Sequence, residues 1–87
     1  MAIVHIPAAM RSLTSGDAEV SAPGTTLGEV VANLDERFPG IQARMVDGDR
    51  IRPGLAVFLD GISAPSRLST PVSEISDIYF APAISGG

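Results

Sequence analysis

Side chains able to do covalent or metal chemistry are scarce in this chain, and where they occur they stand alone. His5 is the only histidine, cysteine and tryptophan are missing, and the six cations are all arginine (Arg11, Arg37, Arg44, Arg50, Arg52, Arg67), so there is no lysine. That inventory excludes a disulfide scaffold, a thiolate zinc or iron–sulfur site, a Schiff-base lysine and any relay that needs a second ring beside a nucleophile. Asp47 and Asp49 flank Gly48, but without the further oxygen ligands and glutamate of a calcium loop they read as a solvated turn. His5 has no second histidine or cysteine to share a metal, so the expected metal site is none. Ser85 lacks a base. What remains is the main chain itself: the sequence closes on Gly86-Gly87. A terminal carboxyl has a pKa of about 3.3–3.7 and is ionised at neutral pH, so it must be activated before a nucleophile can attack it. Two residues without Cβ let such a terminus thread a narrow channel and bring its backbone close to a nucleotide.

Charge narrows the partners. The net charge is −4 and the arginines are scattered, whereas phosphate binding through counterion release needs clustered cations, so nucleic acid is not expected. A neutral or basic protein surface is the better electrostatic match. No apolar run approaches the roughly 18–20 residues of a membrane span, and Met1 to Met10 lacks the basic start and apolar stretch of a signal peptide, so a cytoplasmic location without membrane contact is expected.

Eighty-seven residues, 45% of them apolar, make one small domain with its own core. Ala2 to Ile6 reads as a strand stopped by Pro7. Ala18 to Ser21 reads as its hairpin partner, across a loop of about eight to ten residues. Thr26 followed by Glu29 has capping-box spacing, and Leu27, Val30, Val31, Leu34 and Phe38 form one apolar helical stripe that Pro39-Gly40 ends. A short helical turn over Ile41 to Met45 and a loop at Asp47 to Arg50 follow. Leu55 to Leu59 is a strand closed by the turn signal Asp60-Gly61; Ile62 to Ser66 is an edge segment, Thr70 to Ser73 a loop or short 3-10 turn, and Asp77 to Ala81 the last strand. The order β-β-α-β-β-β, with one main helix covering one sheet face, predicts an α+β roll.

Strand alternation then positions the terminus. With Leu55, Val57, Leu59, Ile78 and Phe80 inward, Ala56, Phe58, Tyr79 and Ala81 face outward. Pro82 starts the tail stiffly, dividing a domain over 1–82 from a flexible tail over 83–87. Extended, those five residues reach roughly 17 Å. Ile84 is an apolar residue on that arm and is expected to anchor to a partner. Phe58, Tyr79, Ala81, Pro82, Ile84 and Ser85 are therefore the candidate partner-binding residues, and Gly86 and Gly87 the chemical end.

Ile6-Pro7, Arg11, Thr14, Gly16, Thr26-Leu27-Gly28, Leu34, Phe38-Pro39-Gly40-Ile41, Phe58-Leu59-Asp60-Gly61 and Pro82-Ala83-Ile84-Ser85-Gly86-Gly87 resemble the ThiS/MoaD family of ubiquitin-like sulfur carriers, near its CysO type. The resemblance spans nearly the whole chain. It departs at Glu74-Ile75-Ser76-Asp77, where members often carry Gly-Asp-Glu, and at Ala81, where they tend to have a large apolar residue. The resemblance implies a ubiquitin-like β-grasp roll with a mixed sheet of four to five strands. It implies a carrier without catalysis of its own or a bound cofactor, whose Gly87 is adenylylated with ATP by a ubiquitin-activating-type enzyme. A sulfur donor then converts Gly87 to a thiocarboxylate that a sulfur-acceptor synthase consumes, in making cysteine or another sulfur metabolite. The alternatives are the small subunit of molybdopterin synthase, a ubiquitin-like modifier conjugated through Gly87, and a structural interaction domain. The missing lysines and cysteines fit an activated acyl group, since neither ε-amines nor thiols of the chain compete for it.

Overall fold

Prolines and glycines cut the chain into short segments, and the structure, a computed structural model, shows where each cut falls. It describes residues 1–82, so the expectations for Ile84, Ser85, Gly86 and Gly87 lie outside the described residues.

Strand β1 (Ala2–His5) pairs antiparallel with β2 (Glu19–Ala22), Val4 opposite Val20 and His5 opposite Glu19. The connection is longer and more ordered than the expected loop, because it carries a 3-10 helix over Ala8–Thr14. Pro7 starts it, with Met10 N donating to Pro7 O at 2.9 Å, and burial of Met10 holds it to the core. Thr14 is buried too, and its hydroxyl donates to Asp17 O at 2.8 Å and to Arg11 O at 3.2 Å, so no polar atom is stranded.

Helix α1 (Leu27–Arg37) starts at Thr26, whose Oγ1 accepts from Glu29 N at 3.2 Å. Glu29 does not return to the cap residue as the expected box requires. It reaches one residue further and accepts from Thr25 N at 2.9 Å and Thr25 Oγ1 at 3.0 Å. The backbone N–H of Thr25, then its hydroxyl, hold the Glu29 carboxyl below the usual carboxylate range. A carboxyl with a depressed folded pKa contributes stability above its unfolded pKa, and that contribution is lost as pH falls through the folded value. Acid unfolding followed by circular dichroism is therefore expected to lose this increment in parent protein, whereas Glu29→Gln lacks it at all pH values. Identical pH profiles for the two would contradict the pairing.

Leu27, Val30, Val31 and Leu34 carry the buried stripe. Phe38 lies just beyond the helix as its C-cap, partly buried against the core. Asp35 accepts from Gly40 N and Gln42 N, both at 3.0 Å, and so supplies the side-chain cap for α2 (Ile41–Met45). The loop expected at Asp47 to Arg50 is instead a small hairpin, β3 (Val46–Asp47) against β4 (Arg50–Ile51). Strand β5 (Leu55–Leu59) turns into β6 (Ile62–Ala64) through Asp60 at φ 52° and Gly61 at φ 84°. Two successive positive φ values match the right-handed twist of the flanking strands, which explains Asp-Gly there.

The last strand is β7 (Asp77–Pro82), one residue longer than expected. The main sheet has five strands in the order β2-β1-β7-β5-β6, with β1 and β7 parallel at its centre and the other pairings antiparallel. Helix α1 covers the inner face, burying Val4, Val57, Ile78 and Phe80. The loop after β2 packs closely on the first turn of α1: Gly24 sits at φ 148°, and a Cβ there would fall 2.7 Å from Val30 N. From α1, Arg37 Nη1 donates to Ser21 O in β2 and Asn33 Nδ2 to Pro23 O just after it, both at 2.8 Å, so the edge-strand carbonyl is covered.

Candidate functional site

The alternation of β7 settles which side chains face outward. Ile78 and Phe80 point into the core, Tyr79 and Ala81 outward. On the neighbouring strand Phe58 stands opposite Tyr79 and Ala56 opposite Ala81, so two of the expected face residues form a cross-strand aromatic pair, Tyr79 exposed and Phe58 half-buried. Ala81 is half-buried and Pro82 exposed at the strand end. The remaining expected partner residues, Ile84 and Ser85, and the chemical end Gly86-Gly87 lie beyond the described residues.

The structure adds two residues that sequence reasoning left out. His5 pairs with Tyr79 across the parallel seam, and their rings stack at 3.9 Å between centroids and 6° between planes. His5 Nε2 lies 3.0 Å from Asp77 Oδ1. A carboxylate only accepts, so Nε2 carries the proton of this bond. Asp77 N in turn donates to Asp60 Oδ1 at 2.9 Å. Phe58, Tyr79, His5 and Glu19 thus form one row across four strands on the open face. Alternation alone puts His5 on the face opposite Val4, but nothing local reveals that a strand more than seventy positions away lies beside it.

Where β1 leaves the sheet, a groove of about 590 Å³ opens between the 3-10 helix and the end of β7. Its walls are mainly apolar, with Pro7, Ala8, Ala9 and Ala18 on one side and Ala81 and Pro82 on the other. Arg11 and Glu19 bring charge to it. Arg11 Nε donates to Ile6 O at 3.0 Å, which fixes the guanidinium beside the groove.

Among the described residues no group of three or more His, Cys, Asp and Glu could hold a metal ion, and no helix is long and apolar enough to cross a membrane. Asp47 ends β3, and Asp49 lies with Gly48 in the turn of the β3–β4 hairpin. The described residues therefore place Phe58, Tyr79, His5 and Glu19 in one row on the open face, and β7 ends beside it at Pro82.

Comparison with known proteins places this arrangement. The chain is 28% identical to the sulfur carrier protein CysO of Mycobacterium tuberculosis, over 97% of this chain and 96% of that protein. A chain in the crystal structure of the BexX/CysO complex from Amycolatopsis orientalis superposes with a TM-score of 0.89 at 27% identity, covering 100% of both chains. The crystal structure of Mycobacterium tuberculosis CysO gives a TM-score of 0.86 at 26% identity, over 97% of this chain and 100% of that one. Small archaeal modifier protein 1 from Methanosarcina acetivorans shares the fold, with a TM-score of 0.75 at 20% identity over 99% and 95% of the two chains. The five-stranded mixed sheet gripping one main helix is thus the ubiquitin-like β-grasp fold. The ThiS family model matches residues 4–87, and the chain belongs to the ThiS family.

Proposed function

We infer that this protein is a sulfur carrier whose cargo rides on the main-chain carboxyl of Gly87. The observation that carries this reading is the family match, which runs through Gly86-Gly87, joined to likeness over almost the full chain to CysO carriers. The geometry fits it. Strand β7 crosses the centre of the sheet and delivers the chain at Pro82 beside the Phe58–Tyr79–His5 row, so an enzyme that grips the row also receives the tail.

The chemistry balances without a reactive side chain. The Gly87 carboxylate attacks the α-phosphorus of ATP held by an activating enzyme, and pyrophosphate leaves. A sulfide-level donor then attacks the acyl carbon of the adenylate, the C–O bond to AMP breaks, and the thiocarboxylate remains. The carrier supplies reach and position, and the activating enzyme supplies nucleotide, metal and charge stabilisation. An acceptor synthase consumes the sulfur, and water or hydroxide restores the carboxylate. Neither catalysis nor a resident cofactor is required of the domain itself. The complex of a related CysO with BexX supports a protein as the docking partner.

Intact-mass measurement after co-expression with a cognate activating enzyme and a sulfide source tests the reading. The expected product gains the mass of one oxygen-for-sulfur exchange, localised to Gly87. Chains joined by isopeptide bonds to other proteins, with no such gain, would support a modifier instead.

A further inference from the structure

We propose that the flank built from α2, β4 and residues 66–68 is a docking surface for an acidic segment of the activating enzyme, whose carboxylates meet Arg44, Arg50 and Arg67. Naming the activating enzyme rests on the sulfur-carrier reading; the charge of the occupant does not.

The six arginines, scattered along the sequence, divide into two kinds in the fold. Arg11, Arg37 and Arg52 each donate to a main-chain carbonyl: Ile6 O at 3.0 Å, Ser21 O at 2.8 Å and Ala43 O at 3.3 Å. These three tie segments of the chain together. Arg44, Arg50 and Arg67 are exposed, and among the described residues the one ion pair they make is Arg50 Nε with Asp49 Oδ1 at 3.8 Å. Its side chains are 58% and 93% exposed, and such a pair contributes little.

The fold brings those three to one flank. Ile51 N donates to Ser66 O at 2.8 Å and Leu68 N to Asp49 O at 2.9 Å, and between these two bonds Arg50 stands directly opposite Arg67 in an antiparallel bridge. A pair enclosed in this way is the non-hydrogen-bonded kind, with Cα atoms about 4.5 Å apart and side chains leaving on the same face. Like charges so placed repel, so the fold gains nothing from keeping both. Asp47 stands opposite Arg50 in β3, yet the two form no ion pair. Arg44 joins from α2. Arg52, two residues after Arg50, donates its N–H to Met45 O at 2.8 Å and its Nη1 to Ala43 O, the carbonyls on either side of Arg44.

Charge selects the occupant. Four arginines and only two acids, Asp47 and Asp49, lie on these segments, in a chain of net charge −4, so the positive potential is confined to the flank. A nucleic-acid backbone would run from it onto acidic surface, and counterion release needs a larger cluster of cations. A short segment bearing a few carboxylates matches the flank alone. Each guanidinium can hold a carboxylate through two parallel N–H···O bonds, and an anion between Arg50 and Arg67 relieves their repulsion. The position fits a partner that handles the end of β7, because Leu55, opposite Pro82, donates its N–H to Arg52 O at 2.9 Å.

Steady-state loading by a cognate activating enzyme, with carrier concentration varied, tests the docking. Arg50→Gln and Arg67→Gln are each expected to raise KM for the carrier several-fold with kcat unchanged, and added salt should shrink the difference. Arg67→Lys, which keeps the charge, should stay near the parent. Ala32→Glu changes the net charge by the same single unit at an exposed position of α1 and should leave KM at the parent value. Arg67→Gln should also melt at or above the parent temperature, since it removes a like-charge pair, so its raised KM is not a folding defect. Unchanged KM in both glutamine variants, or an equal rise in Ala32→Glu, would overturn the proposal. Amide NMR titration with a polyglutamate peptide needs no loading, so it decides the flank even if failure of the parent to load sinks the sulfur-carrier reading. Shifts centred on Arg44, Arg50 and Arg67 and lost in Arg50→Gln are expected. No shifts there, or equal shifts with a thymidine oligonucleotide of the same charge, would overturn the acidic-segment assignment.

Discussion

Deletion of Gly87 is expected to lower thiocarboxylate formation by at least about 100-fold while leaving the melting temperature at the parent value. The reason is positional. Adenylation needs a carboxylate oxygen in line with the α-phosphorus at near-attack distance, and a misplacement of about 1 Å can cost on the order of 100-fold in rate. Removing one residue draws the carboxyl back by about 3.3–3.6 Å, several times that tolerance. Gly86→Val should behave similarly by a different route, since a branched Cβ widens the tail where the partner's channel closes on it. The core that sets the melting temperature is drawn from residues 2–80, so fold and function separate cleanly. Pyrophosphate release and intact mass with a cognate activating enzyme provide the readout. Loading of the deleted chain at the parent rate would remove Gly87 from the mechanism.

Leu34→Ala is expected to destabilise the domain by about 2–5 kcal/mol, the range for truncating a fully buried leucine. Leu34 has no exposed surface and sits on the inner stripe of α1, the one long helix covering the sheet. Against the roughly 5–15 kcal/mol that small domains possess, and with about 4–8 °C lost per kcal/mol at this size, the thermal midpoint should fall by tens of degrees. Ala32, exposed on the same helix, gives the control, since Ala32→Ser changes only helix propensity, by a few tenths of a kcal/mol. Thermal unfolding followed at the helix signal decides the matter. A shift for Leu34→Ala no larger than that of the control would mean that the helix does not close the core.

The helix was the most legible element because its signals are local: Thr26 and Glu29 three residues apart, a 3.6-residue apolar stripe, and Pro39-Gly40 behind it. Even there the glutamate chose Thr25 over the cap residue, a choice of one residue that spacing does not encode. The Asp60-Gly61 turn and the outward pair Phe58 and Tyr79 were equally readable, since both follow from short-range alternation and turn chemistry. The 3-10 helix was not, because Met10 and Thr14 are fixed by burial under the sheet and not by any local repeat. Hairpin β3–β4, two residues per strand, is too short to have a period. The His5–Asp77–Tyr79 constellation was hidden for a third reason. Its members are brought together only by a parallel pairing between the two ends of the domain, and such pairings leave no mark in either strand. Of the candidate site, the outward face was thus half legible, while the glycine terminus was visible at once as composition and spacing.

That central parallel pair also sets the order in which the protein can come into being. Strand β7 is the last of the described elements to be made and the middle strand of the sheet, so during synthesis β1 and β2 wait beside an unfilled slot until nearly all the described residues have emerged. Contacts between distant segments must be closed against loop entropy before they repay it, which places folding with the slower, non-local topologies. A chain cut short before β7 loses strand pairing on both sides of the slot and cannot complete its core. A fragment that stops before Tyr79 therefore lacks the open-face row of Phe58, Tyr79 and His5, so folding postpones that face until all but the last few described residues have been made.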